Sequence, residues 1–250
     1  ILNGIAMYGG LIPFGATFFV FSDYLRPVLR IAGISHISPK FIFTHDSIGV
    51  GEDGPTHQPI EHLMSIRAIP NNILIRPADG NEVIYAYKYA LSETKKPVSI
   101  VLTRQNVLNI DRNVYASAEG LLKGAYVLNP EVKDFDIILI ATGSEVQLIV
   151  DAEKKLAEKN IKTRLVSMPS FEIFDMQSDE YKEEVLPKNK TKRISVEAGT
   201  TFGWCKYIGT EGIAIGIDKF GASAPEDTIF KNYGLTVDNI VEKATKLMEK

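Results

Sequence analysis

FIFTHDSIGVGEDGPTHQP, residues 41–59, begins with four aromatic or β-branched residues and then changes character. Strand propensity ends at Thr44. The remaining THDSIGVGEDGPTHQP (44–59) holds two of the chain's four histidines, three acids and no lysine or arginine. Gly49, Gly51 and Gly54 with Pro55 and Pro59 oppose any regular element there. From Pro59 the pattern IEHLMSIRAI is helical. A strand, a long Gly-rich loop and a helix form one βα unit, with the loop at the carboxyl end of its strand. Loops of this length without structure of their own tend to be functional or disordered.

The same rhythm continues outward. NILIRP (72–77) reads as a strand, and Asp79 with Glu82 makes a capping-box-like start for the helix NEVIYAYKYALSE. VSIVLTR (98–104) is a continuous apolar run suited to a sheet covered on both faces. These three strands form a first group. From Asn106 to about Gly124 periodicity is lost. A second series follows: DIILIAT (136–142), a helix from Glu145 to about Lys159, KTRLVSM (162–168), RISVEA (193–198), AIGI (214–217) and the helix DNIVEKATKLME. The expected fold is therefore α/β, two domains, each a mostly parallel sheet flanked by helices. The expected division is 1–110, a linker over 111–124, and 125–250. Ile1 to Met7 reads as a helix already in progress, ended by Gly9-Gly10, as in a polypeptide cut from something longer.

The totals exclude several classes. With 28 lysines and arginines against 31 aspartates and glutamates, no global basic field exists, so nucleic acid is not the expected partner. No stretch approaches the ~20 apolar residues of a membrane span. A single cysteine, Cys205, rules out an internal disulfide and fits the cytoplasm.

In parallel sheets ligands collect beyond the carboxyl ends of strands. That rule predicts one rim bearing His45, Arg76 and Arg104. The Arg104 guanidinium fork suits a phosphate or carboxylate, or an ordinary surface ion pair. Phe18, Phe21 and Tyr24 in TFFVFSDY recur every three residues, which on one helix makes an aromatic wall, for the core or for a pocket. GVGEDG (49–54) formally matches a dinucleotide fingerprint, but Glu52 and Asp53 would face a pyrophosphate with like charge. His57 and His62, five residues apart with no cysteine near, do not make a zinc site, so no metal ligands are expected. The loop can present neutral donors, acceptors and carboxylates to a polyhydroxylated substrate, and histidine can move protons near neutral pH. The Gly143-Ser144-Glu145 turn at a helix start either receives an anion or is structural.

The stretch THDSIGVGEDGPTHQP resembles the signature loop of the transketolase family. IPFGATFFVFSDYLRPVLR, RAIPNNILIRPADGNE and LTRQN resemble the rest of that family's pyrimidine-binding domain; IATGSEV and DKFGASAPEDTIFKNYGLTVDNIV resemble its C-terminal domain. The resemblance implies a transferase of the pentose phosphate pathway that moves two-carbon ketol units between sugar phosphates through thiamine diphosphate. It further implies that Phe18, Phe21 and Tyr24 enclose the aminopyrimidine ring, that His45 and Arg104 hold the sugar phosphate, and that Asp53 bonds a substrate hydroxyl. His57 takes the proton-handling, catalytic position. A divalent cation, magnesium or calcium, would be held by an N-terminal domain that is not in this sequence; also outside it is the family's glutamate against the pyrimidine, on the segment expected just before Ile1. The implied partners are that N-terminal region or a second subunit, with a homodimer when intact. The isolated chain is expected to be inactive, as a fragment or as half of a split enzyme. The alternatives are a non-catalytic assembly module and another thiamine-diphosphate enzyme such as a deoxyxylulose-phosphate synthase.

Overall fold

A computed structural model of the chain describes residues 1–249. The first sheet holds β1 (Phe14–Phe18), β2 (Lys40–Thr44), β3 (Ile73–Ile75) and β4 (Val98–Val101), all parallel, in the order β1-β2-β4-β3. Around it lie α1 (Leu2–Tyr8), α2 (Ser22–Ile34), α3 (His62–Arg67) and α4 (Gly80–Ser92). Every residue of β4 is buried, as its largely apolar run requires of a central strand. Asp79 accepts from the Glu82 amide at 2.8 Å, while the Glu82 carboxylate turns back to the Ala78 amide, so α4 starts as a near relative of the capping box.

Two expectations for this half need correction. The group has four strands, because Phe14–Phe18 is the edge strand β1, whose last residues, Thr17 and Phe18, the aromatic spacing assigns to a helix. Its half-exposed pattern carries no buried apolar run, which is the signal that revealed the other three. The helix expected from Pro59 starts at His62, since the loop's own turns run on to that point. The flank made by α1, β1 and α2 is uncovered: α1 buries no residue, and Met7, Tyr8, Leu11, Ile12, Phe14, Ile31 and Ile34 are exposed.

The second sheet has the order β5-β7-β6-β8-β9, with β5 (Tyr126–Val127), β6 (Ile137–Ala141), β7 (Thr163–Ser167), β8 (Arg193–Val196) and β9 (Ile213–Ile215). It is parallel except for the short β5, which runs antiparallel to β7. Its helices are α5 (Glu145–Ala157), α6 (Phe171–Asp175), α7 (Asp179–Val185), α8 (Cys205–Ile208), α9 (Glu226–Asn232) and α10 (Val237–Met248). The segment between the sheets is tied down: the Ile110 amide and the Arg112 guanidinium both bond Asp79.

The two sheets meet where β3 presents its free edge. An unpaired edge invites stray pairing, and here the second domain covers it. The Arg76 amide donates to Pro169 O at 2.8 Å, the Gly143 amide to Arg76 O at 3.1 Å, and the Leu74 amide to the Glu172 carboxylate at 3.3 Å. Burial lifts the Glu172 carboxyl to about 7, with Arg67 and hydrogen bonds opposing. Because the folded value lies above the ordinary 4.5, the unfolded chain releases this proton first, and stability falls as pH rises from 4.5 to about 7. Glu172→Gln keeps an acceptor for Leu74 and should raise stability by about 2 kcal/mol above pH 7, with no gain below pH 4.5. Melting curves across that range check it, and a gain that is equal at both ends contradicts it.

Candidate active site

Adjacent parallel strands deliver their carboxyl ends to one rim. Phe18 at the end of β1 lies in register with Thr44 at the end of β2, and β4 lies on the far side of β2. His45 follows Thr44 with φ +61°, a left-handed conformation that a non-glycine residue adopts at a cost. Its Nδ1 lies 2.9 Å from Thr44 Oγ1. The imidazole stacks face to face on Phe18, with centroids 3.6 Å apart.

From Phe18 the aromatic wall continues. The Phe21 ring lies parallel to Phe18 at 6.1 Å, Tyr24 follows at 6.2 Å, and His57 meets Phe21 edge-on at 5.8 Å. Contrary to the expectation from the sequence, the three aromatics do not share one helix face. Phe18 ends a strand, Phe21 closes a 3-10 turn over Phe19–Phe21, and Tyr24 lies in the first turn of α2. The spacing still aligns them, because a 3-10 turn has three residues per turn. Phe19 is fully buried and roots the wall in the core, whereas Phe21 is 37% and Tyr24 80% exposed.

The loop after His45 is more ordered than its composition suggests. Ser47 Oγ accepts from the Gly49 amide, and 3-10 turns cover Ile48–Asp53, broken at Gly51, where φ is +80°. Ile48 and Val50 are buried and anchor it. Glu52 and Asp53 stay exposed, and His57 is half-buried with Nδ1 3.0 Å from Thr56 Oγ1. Partial burial, then the neighbouring Arg104 guanidinium, hold His45 below its ordinary value, against the pull of Asp53 and Asp46. At neutral pH the rim therefore presents an uncharged imidazole, the exposed Arg104 cation and the Asp53 carboxylate. Chemically it suits an anionic, hydroxylated ligand.

One expectation fails here, and one open reading is decided. Arg76 does not reach the rim: it is fully buried and turned toward the second domain. Its Nε donates to Asp46 at 2.8 Å, its Nη1 to Thr142 Oγ1 at 2.9 Å, and a close ion pair joins it to Glu145. The cation is held more firmly protonated than usual, because Glu145, Asp46 and Glu197 outweigh the cost of burial. The Gly143-Ser144-Glu145 turn is likewise structural. A Cβ on Gly143 would lie 2.5 Å from Arg76 Cζ, so the turn admits the guanidinium and no outside anion. Beyond it, Thr142 donates to Glu197, which also receives both Arg67 Nη atoms and the Trp204 indole. Sequence reading missed Asp46 and Glu145 as partners of Arg76. The available signal was an arginine at the end of an all-apolar strand, since such a buried charge needs carboxylates.

The outer faces of Phe21 and Tyr24 offer flat, polarisable surface for a planar heteroaromatic ring. Among the described residues no group of three or more His, Cys, Asp or Glu side chains could hold a metal ion, and no helix is long and apolar enough to cross a membrane.

Residues 1–109 match the family described as "Transketolase, pyrimidine binding domain", and residues 124–236 match "Transketolase-like TK C-terminal domain". The chain is 53% identical over 250 residues to a transketolase of Bacillus subtilis, covering 100% of this chain and 38% of that one. With a transketolase of Aquifex aeolicus it is 51% identical over 250 residues, covering 100% and 36%. The structure of transketolase from Leishmania mexicana superposes with a TM-score of 0.94 at 43% identity, covering 99% of this chain and 36% of its own. The chain thus spans little more than a third of the length of these relatives. With both domain types matched in chain order and half of all positions shared with full-length relatives, the chain belongs to the transketolase family.

Proposed function

We propose that this chain supplies the pyrimidine-facing and sugar-phosphate-facing part of a transketolase, which transfers a two-carbon ketol unit from a ketose phosphate to an aldose phosphate. The observation that carries this reading is the continuity of the rim: the Phe18–His45 stack at 3.6 Å joins the aromatic wall directly to the polar loop. In this reading residues 1–110 hold the aminopyrimidine of thiamine diphosphate against Phe18, Phe21 and Tyr24. Residues 125–250, reached through 111–124, back the loop. Thiamine diphosphate, when bound, supplies the electron sink for breaking the carbon–carbon bond beside a ketose carbonyl.

The chain's own residues bind and orient. Arg104 offers a charge-assisted fork to the sugar phosphate, and the neutral His45 adds a hydrogen bond without competing for the anion. Asp53 accepts from a substrate hydroxyl and so selects its stereochemistry. His57, edge-on to Phe21, moves a proton at the reacting carbon. The diphosphate and its divalent cation, magnesium or calcium, would be held by a region found in the longer relatives. The uncovered apolar flank at α1, β1 and α2 supports contact with that region or with a second subunit, and a homodimer in the intact enzyme. A lone cysteine and the phosphorylated substrates fit the cytoplasm.

The test is complementation. With thiamine diphosphate and magnesium, this chain alone should give no ketol transfer, and adding the N-terminal region of a transketolase relative should restore it. A folded complex of the two that stays inactive would support an assembly module instead.

A further inference from the structure

We infer that the segment Lys219–Glu226 of the C-terminal domain is a positioning clasp for the substrate loop, and that Gln58 is the residue through which it acts. The inference rests on the function proposed above, in which Asp53 and His57 face the substrate. Both lie between Gly51 and Gln58, so whatever fixes those two positions fixes the spacing of the carboxylate and the imidazole.

Gln58 is 2% exposed, and its Nε2 faces two carbonyl oxygens, Gly51 O at 2.8 Å and Ala222 O at 3.0 Å. Two acceptors before one amide atom require that atom to be the nitrogen, and its two hydrogens are both used. One bond closes the loop on itself around Asp53 and His57. The other crosses 164 positions of sequence to the C-terminal domain. A second tie lies alongside, where Ser223 Oγ donates to Glu52 O at 2.6 Å, one residue before Asp53. The fit leaves no slack, since a Cβ on Gly221 would come within 1.7 Å of Gln58 Oε1. Glu226, at the far end of the clasp, lies close enough to feel the Arg104 charge, whereas Gly221, Ala222 and Ser223 meet Gln58 and Glu52, and it is through these three that the clasp holds the loop.

Two variants test this from opposite sides. Gln58→Glu turns the donor into an acceptor before two carbonyls, and Gly221→Ala pushes the clasp off Gln58 from the other domain. In the complemented enzyme each should raise the KM for the ketose phosphate about tenfold, the loss of one well-made buried hydrogen bond, with a smaller change in kcat. Each should also lower the preference for the natural hydroxyl configuration over its epimer, a ratio that a general loss of folded protein would not move. In the chain alone, amide exchange over residues 47–57 should quicken while that of β4 stays as it was. Unchanged KM and epimer preference in both variants, with a working wild type, overturns the clasp only. A wild type that binds no sugar phosphate when complemented overturns the functional reading and this inference with it. Amide exchange in residues 47–57 that is equal in wild type and variants overturns the clasp whatever the activity.

Discussion

Arg76→Met should lower the free energy of unfolding by about 4 kcal/mol. The substitution keeps most of the volume and removes the charge, so no large cavity confuses the result. What remains is a fully buried Asp46 that has lost its cation, beside a Glu145 that keeps only the Ala198 amide and Ser144 hydroxyl. Breaking one partner of a buried pair costs far more than the pair is worth against apolar residues, because the orphaned charge stays out of water. Urea unfolding reads the change as a lower midpoint at unchanged slope. A loss under about 1 kcal/mol would mean that water reaches Asp46 and that the two domains are not locked as described. Part of the loss should return at low pH, where the Glu145 carboxyl, already pushed up by burial, is protonated and no longer needs the arginine.

Arg104→Ala should weaken sugar-phosphate binding in the complemented enzyme by about tenfold to a hundredfold while leaving thiamine diphosphate affinity as it was. A hydrogen bond to an ionised partner contributes about 1.5–3 kcal/mol, and each 1.4 kcal/mol is a factor of ten. The side chain is exposed and forms no ion pair within 4.0 Å among the described residues, so its loss breaks no internal salt bridge. Equal affinities for a phosphorylated sugar and its unphosphorylated counterpart in the variant would complete the case. Calorimetric titration checks it, and an unchanged sugar-phosphate affinity would remove Arg104 from the site. Arg104→Lys should recover only part of the loss, because an ammonium cannot make the paired bonds of a guanidinium.

The sequence was most legible where burial is two-sided. β6 is an uninterrupted apolar run and β4 is apolar but for Ser99, every residue of both is buried, and both were placed to within a few residues. β1 was not, because an edge strand beside an uncovered flank has no such run to show. His45, Asp53, His57 and Arg104 could be assembled because strand ends and one loop fix their places along the chain. The aromatic wall was found for a partly mistaken reason: its spacing is helical in number, yet three different local structures carry it. Arg76 shows the opposite failure. Its position at a strand end was read correctly, but a side chain's direction depends on what the neighbouring domain offers, and Glu145 lies 69 residues away. Gln58 was invisible for the same reason, its decisive partner being a backbone carbonyl 164 residues on.

Backbone bonds stitch the β3 edge and the end of the loop to the second domain at three points, from Arg76 to Pro169, Gly143 to Arg76 and Thr200 to Ile60. Opening them would leave buried peptide groups without partners, a cost that couples the two halves. Under the function proposed above, passage of a sugar phosphate to and from the rim would depend on the surfaces that approach Phe21 and Tyr24 from outside, and a looser neighbour there would change how fast it leaves without altering how this block holds it.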